Sequence, residues 1–211
     1  MLIRKYLHSC ILLEENSKKI LIDPGAFSFV EKKLKPEDIG PVDVLLLTHK
    51  HPDHYFPEAL KVIKATTIIA NEEICALLTQ EGLVAEVINE GETKTVAGFT
   101  IKALQAPHEP IPTECPHNLA FVINNKLLHP GDSFRTDAPC EVLFLPIAGP
   151  WCRLVDALEF AKTIGPKTTI PIHDGIIKEF MLERMYAMCK TKLSEKSIVF
   201  HPLALGESVT L

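Results

Sequence analysis

The chain opens with short apolar runs separated by turn residues, a spacing that belongs to strands. Leu2 to Leu7, Cys10 to Leu13 and Lys19 to Ile22 are three such runs. Glu15-Asn16-Ser17 supplies a turn between the second and third, and Asp23-Pro24-Gly25 closes the last. Together they predict an antiparallel meander. Asp43 to Leu47, entered through Gly40-Pro41, is a short apolar run that predicts a buried strand. From Pro57 the period lengthens: Ala59, Leu60, Ile63 and Ala65 fall at helical spacing, Thr67 to Ala70 return to a strand, and Glu72 to Gln80 form a second helix stopped by Gly82.

The second half repeats this order. Residues 84 to 104 predict short strands about a turn at Gly98, and 119 to 128 predict a further pair folded about Asn124-Asn125. Val142 to Leu145 is an apolar strand, followed by a helix over Leu154 to Ile164 that Gly165-Pro166 caps. Thr168 to Ile172 then predicts a strand, Ile176 to Cys189 a helix, and 197 to 200 and 208 to 211 two closing strands. There is no repeat of fixed period. A sheet followed by alternating units, twice over, predicts two sheets packed together with helices outside.

Composition narrows the class. A chain of 211 residues with no long Gly/Ser or charged stretch predicts a single domain, 1–211, with a continuous core. No apolar run approaches the ~20 residues that span a bilayer. Met1 to His8 lack the features of an export signal, and the six cysteines are scattered without a CxxC pair, so a reducing cytoplasm is the expected setting. A formal charge of -5 leaves no basic excess to neutralise a nucleic-acid backbone, which argues against such a partner. Self-association is left open.

The chemistry concentrates in Thr48-His49-Lys50-His51-Pro52-Asp53-His54, directly after the strand at Asp43 to Leu47. Three imidazoles and a carboxylate so close together would repel when charged and cost desolvation when buried, so a cation accepting their lone pairs is the natural compensation. His49 and His51, two apart, can face one side, while Asp53 and His54 follow a proline and can face another, which suits two metals better than one. Later apolar runs end in further candidates: His108 after Ile101 to Pro107, Asp132 after Leu127 to Gly131, and His173 after Thr169 to Ile172.

These residues, with His8-Ser9-Cys10, Ile20-Leu21-Ile22-Asp23-Pro24 and Leu145 to Trp151, resemble the metallo-β-lactamase-fold hydrolase superfamily. The branch is similar to the ascorbate-phosphate lactonase and N-acyl-phosphatidylethanolamine phospholipase D groups. The resemblance implies an α/β fold, a four-layer αββα sandwich of two mixed sheets with outer helices. It implies that His49, His51 and His108 bind one divalent metal, that Asp53, His54 and His173 bind a second, and that Asp132 bridges them. Asp23 would fix a ligand histidine from behind. Asp132 stands where many true β-lactamases of this fold carry cysteine, so lactam antibiotics are a poor fit. His51 stands where diiron oxygen-reducing relatives carry glutamate, which favours zinc over redox iron, with manganese or iron as the other metals such ligands accept.

Two ions sharing a water would lower its pKa to roughly 7 and supply a nucleophile at neutral pH. Positive potential at the ions suits a small anionic or carbonyl-bearing substrate better than a polymer. The expected reaction is zinc-dependent hydrolysis of a small ester, lactone or phosphodiester. Asp53 is a catalytic candidate because it can orient the water, and His8 because it can donate a proton. His117, Arg135 and Trp151 are candidates for holding substrate, with Arg153 beside the last. The competing readings are a nuclease of the same fold and a non-catalytic protein that binds metal or ligand at this site.

Overall fold

The computed structural model describes residues 1–211 and forms two seven-stranded sheets. In the first, β1 (Leu2–Lys5), β2 (Ile11–Glu15) and β3 (Lys18–Ile22) are the antiparallel meander expected from the sequence. The pairing then turns parallel through β4 (Val42–Leu47), β5 (Ala65–Ala70) and β6 (Glu86–Val87). The second sheet repeats the plan. β7 (Thr93–Val96), β8 (Phe99–Gln105), β9 (Leu119–Ile123) and β10 (Leu127–His129) are antiparallel, and β11 (Val142–Pro146), β12 (Thr168–Ile172) and β13 (Val199–Phe200) continue in parallel. The chain then returns to the first sheet, where β14 (Ser208–Thr210) pairs antiparallel with β1.

Strand periodicity decides which side chains face which layer. Ile11, Leu13, Ile20, Ile22, Val44 and Leu46 point between the sheets, where they meet Phe99, Ile101, Phe121 and Phe144 of the second sheet. Their neighbours Leu12, Leu21, Leu45 and Leu47 point outward, under α1 (Pro36–Ile39), α2 (Pro57–Ile63) and α3 (Glu72–Gln80). On the far side, Leu143 and Leu145 pack with Ala157, Phe160 and Ala161 of α4 (Leu154–Ile164) and with Cys189 and Leu193 of α5 (Glu179–Ser194). Three apolar layers thus separate four structural ones, the αββα order that the resemblance implied.

Local signals set most element ends. Asn71 caps α3 by accepting the Ile74 N–H at 2.9 Å, and Gly165 closes α4 in the left-handed region at φ 65°. The structure corrects the sequence reading in three places. β1 stops at Lys5 because residues 6–9 turn, with His8 at φ 60°. α5 starts at Glu179 rather than Ile176 because Ile177 closes a turn onto the Asp174 carbonyl, and it runs on to Ser194 because Leu193 is buried in the outer core. α1 was not expected at all. It is four residues long, too short for a helical period to show.

Candidate metal centre

The site forms where strands of both sheets end. β3 delivers Asp23, and β4 delivers the segment His49 to His54. From the second sheet, β8 leads to His108, β10 to Asp132 and β12 to His173. Their ligand atoms gather in two groups, each within 4.8 Å: His49, His51, His108 and Asp132 in one, and His8, Asp53, His54 and His173 in the other. Asp132 touches both. Its Oδ2 lies 3.4 Å from His108 Nε2 and 3.1 Å from His173 Nε2, while its Oδ1 lies 3.0 Å from His54 Nε2.

Hydrogen bonds behind the histidines fix which nitrogen faces inward. His54 Nδ1 donates to Asp23 Oδ2 at 2.8 Å. His108 Nδ1 donates to the Glu109 carbonyl, an obligate acceptor. The Thr48 hydroxyl gives its one hydrogen to Asp23 at 2.7 Å, so at 3.0 Å it accepts from His49 Nδ1. In all three rings, therefore, the neutral tautomer carries its lone pair on Nε2, which points at the Asp132 carboxylate. His54 Nε2, His108 Nε2, His173 Nε2 and Asp132 Oδ1 are buried with no hydrogen-bond partner. Lone pairs facing lone pairs in a dry site are tolerable only around a cation, so this donor set fits divalent metal.

The same demand for positive charge shows in the titration of the rings. Burial disfavours a charged His173, but Asp132 and Asp53 outweigh it and push its pKa up to about 9. His54 also rises well above the usual range, against burial, through Asp132 and Asp23. His49, buried among other imidazoles, falls well below it. Burial would raise the Asp53 carboxyl, yet the adjacent His173, 3.2 Å away, and the hydrogen bond with His8 hold it far down. The three carboxylates thus draw positive charge into the cluster.

The remaining expected residues fall in different places. Asp23 binds the Thr48 N–H at 2.9 Å as well as the Thr48 hydroxyl and His54, so it ties β3 to the ligand-bearing turn. His8 is fully buried, with Nε2 3.1 Å from Asp53 Oδ2 and its ring edge-on to Phe27. Burial lowers its pKa to about 4, and it contacts Asp53 rather than open solvent. Trp151 Nε1 donates to Asp132 Oδ2 at 3.0 Å while its ring lines a pocket of about 300 Å³ above the cluster. His117 and Arg135 lie outside that pocket and line a neighbouring cavity of about 530 Å³ that also reaches His108; His117 Nε2 is 3.3 Å from Glu90, and Arg135 Nε is 3.2 Å from Glu109. A larger cavity of about 700 Å³, between α4 and α5, touches none of the histidines.

Two asparagines that the sequence reading passed over hold the centre together. Asn118 donates to the carbonyls of Ala106 and Pro130 at 2.7 and 3.0 Å and accepts the Asp132 N–H at 3.2 Å, joining the strand ends that carry His108 and Asp132. Gly131, at φ 61°, permits this: a Cβ there would stand 2.0 Å from Asn118 Oδ1. Asn71 reaches from the start of α3 to the His117 carbonyl at 2.6 Å. The place of Asn71 directly before the helical run at Glu72 is a signal that could have found it, whereas nothing local distinguishes Asn118.

A doubled αββα sandwich with two His/Asp clusters at the strand ends defines a protein of the metallo-β-lactamase fold. Comparison with known proteins agrees. Residues 2–173 match the family model described as "Beta-lactamase superfamily domain". Protein Rv0786c of Mycobacterium tuberculosis is 29% identical over 182 residues, covering 81% of this chain and 82% of its own. A UPF0173 metal-dependent hydrolase of Thermoplasma acidophilum is 34% identical over 182 residues, covering 79% and 80%. The solved structure of Igni18, described as a novel metallo hydrolase from Ignicoccus hospitalis, superposes with a TM-score of 0.75 at 23% identity over 100% of this chain and 99% of its own. The chain belongs to the β-lactamase superfamily domain family and, within it, to the UPF0173 metal-dependent hydrolases.

Proposed function

We propose that this metal-dependent hydrolase works with two divalent ions, zinc by preference, on a small ester, lactone or phosphodiester. The observation that carries the reading is the convergence of the lone-pair-bearing Nε2 atoms of His49, His54 and His108 on the Asp132 carboxylate. In this reading His49, His51 and His108 hold one ion and Asp53, His54 and His173 the other, with Asp132 between them. Imidazole with carboxylate is a donor set that zinc accepts readily. Bound there, such ions supply a Lewis acid and a water activated to attack near neutral pH.

The chain's own residues then orient and protect. Asp23 holds His54 in the ligating tautomer and Trp151 fixes one oxygen of Asp132. Asp53 orients the attacking water, and His8, buried behind it and neutral, is a positioning residue that locks the Asp53 carboxylate. A proton reaching the leaving group from His8 would have to pass through Asp53.

Purification without chelator, followed by elemental analysis, is expected to give about two metal equivalents per chain. Asp132→Asn should retain less metal and lower kcat/KM on the best of a panel of esters, lactones and phosphodiesters by about 100-fold. Fewer than one equivalent in the parent protein, or unchanged turnover in both Asp132→Asn and His51→Ala, would point instead to a binding role.

A further inference from the structure

The pocket over the two clusters has a polar floor and apolar walls. His51, Asp53, Asp132 and His173 form the floor. The walls are Phe27 from the turn after β3, Ile111 and Pro112 after β8, Pro150 and Trp151 after β11, and Ile176 after β12. Four strand ends, drawn from both sheets, each send an apolar side chain to the same rim. Phe27 is 36% exposed and Ile176 45%, so this surface stays in water until something covers it.

No lysine or arginine lines the pocket. Sites that select anions present an arginine fork or a lysine, and the cations that the sequence places near this end are engaged elsewhere. Arg135 pairs with Glu109 at 3.2 Å, Arg153 grips Asp156 with two bonds of 2.7 Å, and Lys50 meets Glu73 at 2.6 Å. An anionic group lying along the walls would press its charge against hydrocarbon, and the ions at the floor would be its only counter-charge in this pocket. The volume, about 300 Å³, sits at the low end of small-molecule pockets.

We infer that the substrate is a small uncharged acyl compound, an ester or lactone, whose hydrocarbon part lies between Phe27, Trp151 and Ile176 while its carbonyl faces the histidines. This rests on the hydrolase reading above and narrows its three bond types to two. The water oxygen forms a bond to the acyl carbon, and the acyl–oxygen bond breaks with its electron pair leaving on the alcohol oxygen. One water proton ends on that alcohol and the other is released as the product acid ionises.

The test compares three aryl substrates on the zinc-loaded protein: phenyl butyrate, the anionic phenyl hemisuccinate and diphenyl phosphate. Phenyl butyrate should lead each of the others in kcat/KM by about tenfold or more. Ile176→Arg, which places a cation on the exposed rim, should bring the hemisuccinate to within about threefold of the butyrate. Turnover that favours either anion in the parent protein overturns the inference and leaves the hydrolase reading standing. If none of the three is cleaved, the hydrolase reading is what fails, and the single tryptophan, Trp151, still decides the pocket. Saturable quenching of its fluorescence by the uncleavable ketone butyrophenone supports an apolar-ligand site, and a response to phenyl phosphate alone overturns it.

Discussion

Asp23 shows how much of this centre is built one residue behind the metal-facing atoms. Its two oxygens accept from the Thr48 N–H, the Thr48 hydroxyl and His54 Nδ1, so a single carboxylate sets one ligand's tautomer directly and a second, His49, through Thr48. Asp23→Asn puts an NH2 group where donors converge. Metal affinity is expected to fall about 10- to 100-fold, measured by competition with a chromophoric chelator. An unchanged affinity would mean that packing alone orients His54 and His49. At this scale the sequence was most readable where chemistry was crowded: His49 to His54 stand out because nothing but a cation explains them. Asn118 was not readable, because its three partners come from two other segments of the chain and a lone asparagine before a strand carries no local signal. His117 and Arg135 looked available because their partners, Glu90 and Glu109, are carboxylates that only the fold brings near.

Among elements, the strand ends carry the function and the turns after them carry the precision. The turn from β10 to Asp132 depends on Gly131, which combines a left-handed backbone with room for the Asn118 side chain. Gly131→Ala strains the first and collides with the second. It should cost about 2 kcal/mol or more in stability and displace Asp132. Urea unfolding in chelator would show the stability loss, and elemental analysis the loss of bound metal. The elements themselves were legible because strand and helix periods differ and each run is bounded by turn residues. The exceptions have physical causes. α5 begins three residues late because the chain first turns after His173, and amphipathic residues such as Ile176 and Phe180 fit a helix pattern while remaining exposed.

For the molecule as a whole, the two sheets are joined by more than apolar packing. Lys5, at the end of β1, donates to Asp174 at 2.7 and 2.9 Å, just beyond β12, and the Tyr186 hydroxyl of α5 adds a third bond at 2.5 Å. Both charged side chains are almost wholly buried, so removing one leaves the other without compensation. Lys5→Met is expected to destabilise by about 3–5 kcal/mol, and Lys5→Met with Asp174→Leu to recover most of that. Denaturant midpoints measured in excess chelator keep metal out of the comparison, and a Lys5→Met midpoint equal to the parent's would show that the strut is dispensable. The layered fold was readable from the order of elements, whereas this cross-link was not, because Lys5 lies 169 residues from Asp174 in the chain.

The centre draws four of its seven donors from the first sheet and three from the second, and this imposes an order in time. A partial chain ending after β6 would carry His49, His51, Asp53 and His54 but neither His108, Asp132 nor His173. During synthesis, the early histidines would meet the cell's metal pool with only a fragment of their eventual coordination. Selective capture must wait until residue 173 has emerged and β12 has docked. The ion therefore joins donors that only the pairing of both sheets brings together, and the chain makes the decision to hold it late in its own assembly.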